Sequence, residues 1–149
     1  MSLGGVSVPE RTKTLDGIRR CLSDAQSLFQ EVMDTLNEIG KGDFGMTLTP
    51  FVGGLAMKDP AKNFRNALIK LDSAEKVLQP LAVRLRDGRV NSSHFKDERA
   101  IVLVRDLAEF DYGQLIKLLA QRRGRETVWY RLDELSKKAR EAYQLVSTD

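Results

Sequence analysis

The sequence predicts an all-α fold: a four-helix up-down bundle, which becomes five helices if the third segment breaks near Asp111. Three observations carry that prediction. Apolar residues recur at alternating spacings of three and four along long segments, the pattern of helices with one buried stripe. Those segments are bounded by residues that start or stop helices. Apart from a brief stretch at 46–52, no segment alternates with the period of a strand, and no internal repeat is visible.

The first helix is marked by Leu15, Ile18, Leu22, Ala25, Phe29, Val32, Leu36 and Ile39, a heptad seam flanked by Cys21 and Leu28. Thr12 or Thr14 is placed to cap its start, and Gly40 to supply a left-handed stop. A second helix is expected from Asp59 as N-cap and Pro60 in the first turn. Its apolar face is Phe64, Ala67, Leu68, Leu71, Ala74, Leu78, Leu81, Ala82 and Leu85, with a kink at Pro80 and a stop at Gly88. "GRVNSSH" then reads as loop.

The third segment, from about Phe95 to Gln121, carries Ile101, Val104, Leu107, Ala108, Leu115, Leu118 and Leu119. Its middle, "FDYGQL", fits either one bent helix, the slightly favoured form, or two. In the second case Asp111 caps a new helix, Gln114 completes a capping box, and Phe110 and Leu115 form a hydrophobic staple. After "RRGRE" the last helix places Val128, Leu132, Leu135, Ala139, Ala142 and Val146 on one stripe, widened by Trp129 and Tyr143. Asp133 with Lys137 and Glu134 with Lys138 are spaced as i, i+4 ion pairs on its outer face.

Composition fits a single domain over 12–149 behind a flexible tail at 1–11: 149 residues, 42% hydrophobic and 30% charged. One cysteine, Cys21, permits no internal disulfide, and no leader or membrane-spanning run of about 18 apolar residues is visible, so a cytoplasmic setting is expected. The net charge of +3 is modest for a nucleic-acid binder.

Few motifs suggest chemistry. "DFG" at Asp43-Phe44-Gly45 matches a kinase magnesium motif but lacks its surrounding signatures, and "GKG" at 40–42 lacks the spacing of a phosphate loop. The only histidine, His94, falls in a loop with no glutamate three residues before it, so no di-metal centre is expected, and its side chain is expected to be solvated. Cys21 reads as a small packed hydrophobe. Asp106, Glu109 and Asp111 read as a solvated acidic face rather than an acid–base pair. No metal and no cofactor is expected.

Two basic clusters, Arg84/Arg86/Arg89 and Arg122/Arg123/Arg125, stand at helix C-termini, where cations complement the macrodipole. An up-down bundle would put them at opposite ends, which argues against one nucleic-acid stripe. The second cluster would share an end with the apolar, glycine-rich loop expected at 40–58, provided that the third segment does not break sharply at Asp111. The leading expectation is therefore a non-enzymatic protein–protein interaction or self-association module. Its candidate partner-binding residues are Phe44, Phe51, Leu55, Arg122, Arg123 and Arg125. The alternatives are an inter-helix small-molecule or enzyme pocket closed by residues 41–59, and weak nucleic-acid binding through Arg122, Arg123 and Arg125; docking to an anionic membrane surface is the weakest. If the loop docks a partner, Phe51→Asp should abolish capture of that partner while leaving the helical circular dichroism intact; loss of the fold would instead make the loop part of the core.

Overall fold

The computed structural model describes residues 8–45 and 60–147, which form five α-helices and a short 3-10 turn without strands. Helix α1 spans Val8–Gly45, α2 Pro60–Arg86, α3 Glu98–Glu109, α4 Tyr112–Ala120 and α5 Arg125–Ser147. α1 lies between α2 and α5; α3 packs on α5 and α2, and α4 packs chiefly on α2. The result is the all-α bundle read from the sequence, in its five-helix form.

α1 is longer than expected at both ends. It begins at Val8, so Thr12 and Thr14 lie inside the helix rather than capping it, and residues 8–11 of the expected tail are helical. Arg11 Nε donates to the His94 carbonyl at 3.1 Å, tying this first turn to the α2–α3 connection. Gly40 does not stop the helix, because one interior glycine costs only about 1 kcal/mol. Residues 40–45 of the expected loop therefore belong to α1, while residues 46–59, like residues 1–7, lie outside the described residues. Every member of the α1 seam is buried, with Cys21 and Leu28 half-buried beside it. The seam is thus filled within the chain by α2 and α5. Arg19 Nη2 reaches the Val146 carbonyl at 3.0 Å and satisfies one of the orphan acceptors in the last turn of α5.

α2 begins at Pro60, a position that needs no backbone donor, and runs unbroken through Pro80. It ends where Gly88 takes φ +82°, and the Val90 N–H returns to the Arg84 carbonyl at 3.0 Å. The expected loop then tightens into a 3-10 turn at Ser92–His94. Asn91 Oδ1 accepts from the Ser93 N–H at 3.0 Å, and the Asn91 N–H donates to His94 Nδ1 at 3.2 Å. His94 is consequently buried, not solvated: its ring serves the backbone of its own turn. Asp97 caps α3 by accepting from the Arg99 N–H at 2.9 Å. Hydrogen bonds from the Arg99 side chain and backbone hold the Asp97 carboxyl below its ordinary range.

The third segment breaks, and the register explains why. In a continuous helix Asp111 would lie one turn beyond Leu107 and two beyond Val104, on the buried face. Instead Phe110 is extended (φ −62°, ψ 142°) and Asp111 follows at φ −81°, ψ 84°. The corner takes Asp111 to the surface and delivers Tyr112, Leu115 and Leu119 to the core. Asp111 occupies the N-cap position but its side chain makes no cap bond, so the expected capping box does not form. Phe110 packs half-buried against the core, edge-on to Tyr112 with centroids 5.0 Å apart.

Tyr112 closes the corner. Its hydroxyl donates to the Leu107 carbonyl at 2.7 Å, one of the α3 acceptors left without an intrahelical partner. Its ring stacks on Phe29 of α1 at 5.9 Å and 16°, and burial pushes its phenol far above the usual range. Tyr112→Phe keeps the stacking but leaves that buried carbonyl without the bond. It should cost about 1–3 kcal/mol in urea unfolding with unchanged helix content. A loss below about 0.5 kcal/mol would show that the corner does not depend on the bond.

Candidate functional site

The turn between α4 and α5 builds one end of the bundle. Arg122 N–H donates to the Leu119 carbonyl and Arg123 N–H to the Leu118 carbonyl, both at 2.9 Å, the paired bonds of a Schellman stop. That motif needs a left-handed residue, a place glycine fills without cost. Here it is Arg122, at φ 55°. Gly124, two residues on, takes φ +65° and passes so close to Leu118 that an added Cβ would stand 3.3 Å from it. The Arg122 guanidinium lies 5.8 Å from the centre of the Phe64 ring in the first turns of α2.

The beginning of α5 completes this end. Trp129 and Tyr130 meet edge to face at 5.5 Å and 85°; Tyr130 is 63% exposed. Together with Arg125, Glu126, Leu36 and Asn37 they line a cleft of about 280 Å³ between α1 and α5. The Trp129 indole N–H is closed to solvent and has no hydrogen-bond acceptor among the described residues. A buried donor in that state favours any acceptor brought to it.

The predicted site residues divide sharply. Arg122, Arg123 and Arg125 do share an end with the start of α2 and the C-terminal half of α1. This holds although the third segment breaks at Asp111, because α4 resumes on α2 after one corner and carries Arg122 to Phe64. Phe44 falls in the last turn of α1, and Phe51 and Leu55 lie outside the described residues. Trp129 and Tyr130 were missed as site residues; the adjacent aromatics closing "RRGRETVWY" were the available signal.

Elsewhere the side chains read as structural. Asp106 pairs with Lys138 across α3 and α5 at 3.4 Å, Glu109 pairs with Arg105 at 3.7 Å, and Asp111 is exposed, so these carboxylates form no buried pair. Lys138 thus leaves its expected partner Glu134, which pairs with Arg131 at 3.6 Å; the Asp133–Lys137 pair forms as expected at 3.0 Å. Tyr143 is 39% exposed and does not widen the buried stripe, whereas Trp129 does. Burial pushes the Cys21 thiol up, against the opposing fields of Arg84 and Arg20. Among the described residues no group of three His, Cys, Asp or Glu side chains is placed to hold a metal ion, and no helix is long and apolar enough to cross a membrane. Comparisons with protein-family models, with curated proteins and with solved structures find no match.

Arg122 occupies a left-handed position at a cost of roughly 1–2 kcal/mol, against about 0.5–1 kcal/mol for an exposed contact with an aromatic face. Arg122→Gly should therefore leave stability unchanged or raise it by up to about 1 kcal/mol in urea unfolding. Destabilisation by more than about 1 kcal/mol would make the arginine a structural residue.

Proposed function

We propose that this chain is a non-enzymatic interaction module, working in the cytoplasm, whose docking face is the end of the bundle formed by Arg122, Arg123, Arg125, Trp129 and Tyr130. The observation that carries this reading is the exposed Tyr130, set edge-on to Trp129 beside three arginines. Aromatic and arginine side chains dominate interface energetics when they sit around a desolvated pocket. The cleft beneath them is lined by Leu36 and by the half-buried Trp129.

Charge complementarity defines the partner. The turn and first residues of α5 present Arg122, Arg123 and Arg125 against Glu126, so the complementary surface is a protein segment carrying carboxylates around an apolar side chain. The heptad seams do not supply this face, since they are occupied within the bundle. Arg122, held left-handed where glycine would be easier, fits retention for contact rather than for folding.

The full chain used as bait in extracts of its native host should retain an acidic protein partner. Tyr130→Ala and a triple Arg122→Ala/Arg123→Ala/Arg125→Ala change should each release it, while Lys137→Ala on the outer face of α5 should not. Thermal melts of all variants should remain close to the parent. Retention of the same partner by both site variants would overturn this assignment.

A further inference from the structure

The opposite end of the bundle carries a second, differently built site. A groove of about 680 Å³ lies between the N-terminal half of α1 and the connection that leaves α2. Thr12, Lys13, Asp16, Gly17 and Arg20 recur every three or four residues, so one face of α1 forms one wall. Arg84 and Arg89 supply the other. The first arginine cluster, which the sequence alone explains as a helix stop, is here joined by two cations from another helix.

Cations outnumber carboxylates in the lining of this groove. Asp16 is engaged by Arg19, and Arg89 is held by Asp87 at 2.8 Å. Among the described residues no carboxylate stands within ion-pair distance of Lys13, Arg20 or Arg84. Arg84, in the last turn of α2, complements that helix's dipole, but Lys13, in the second turn of α1, gains no such benefit. Arg20 and Arg84 line the same groove from two different helices, and both act on the Cys21 thiol, as does Asp24. Like charges gathered this way repel, and a bound anion removes the repulsion.

Gly17 lies on the α1 wall of the groove. A glycine inside a helix is costly relative to alanine, yet this one stands where the Arg84 guanidinium crosses α1. A Cβ added there would lie 3.9 Å from Arg84 Nη1, so alanine fits and anything much longer would displace the arginine.

We propose that this groove binds the phosphate chain of a small polyanion, a di- or triphosphate, through Lys13, Arg20 and Arg84. Guanidinium and ammonium groups make charge-assisted hydrogen bonds to phosphate oxygens, and the Thr12 and Thr14 hydroxyls on the same wall add neutral donors. The volume lies within the range of small-molecule sites, and several cations along one groove suit a chain of phosphates. Its lining contains no aromatic ring on which a base could stack, so recognition rests on the phosphates rather than on a nucleobase or a nucleic-acid strand.

Isothermal titration of the full chain at low salt, without divalent cations, tests this directly. Inorganic tripolyphosphate should bind at one site per chain, ATP should match it within about threefold, and added sodium chloride should weaken both. Arg84→Gln and Arg20→Gln should each reduce affinity by roughly tenfold or more, and Gly17→Met should do so by filling the floor. Lys137→Gln should bind as the parent does, and melting curves should show every variant folded. Absence of tripolyphosphate binding would overturn the proposal, as would parental affinity in Arg84→Gln. Much tighter binding of ATP, or of a single-stranded oligonucleotide, than of tripolyphosphate would also overturn it, because recognition would then rest on bases.

Discussion

The hydrogen bond from the Tyr112 hydroxyl to the Leu107 carbonyl is the constraint around which the bundle is arranged. A helix that ends inside a core leaves carbonyls facing apolar neighbours, and each costs a free energy comparable to a lost hydrogen bond. Tyr112 meets that demand from the first residue of the next helix, and its ring then fills the space against Phe29 on α1. One side chain therefore joins α3 to α4 and fastens both to the helix across the bundle. The short third layer can change direction without opening the interior, and α4 is directed along α2 toward the end where Arg122 emerges.

That arrangement separates the molecule into a closed middle and two chemically distinct ends. Among the described residues the buried ones are almost all apolar, with His94 and Ser136 as the polar exceptions, and His94 is used by its own turn. One end gathers arginines with the exposed Tyr130 and the half-buried Trp129, a composition suited to a folded or extended protein surface. The other gathers cations and hydroxyls around a glycine floor without aromatic neighbours, a composition suited to phosphate oxygens.

Much of the fold was legible from periodicity because burial along a helix repeats with the helix. The seam from Leu15 to Ile39 and the stripe from Val128 to Val146 are buried as their spacing requires. The ends of elements were less legible. Thr12 and Gly40 have the chemistry of a cap and a stop, yet α1 runs through both, since a local preference of about 1 kcal/mol yields to continued helix formation. His94 looked like a loop residue because nothing in its neighbours reveals that its ring turns back to the Asn91 N–H. The arginine end was partly legible through Arg122, Arg123 and Arg125, whereas Tyr130 reveals its exposure only once its position on α5 is known.

By itself the amino-acid sequence determined that the protein is helical and which faces of its long helices are buried. These are properties of a single helix, and the spacing of apolar residues encodes them. The tertiary structure alone decided that Lys13 and Arg20 stand with Arg84, that Arg122 crosses Phe64, and that Asp106 takes Lys138 from Glu134. Each of these pairs joins residues from different helices. Their meeting depends on the rotation of one helix against another, which is set by the packing of the whole core and is not written in either segment.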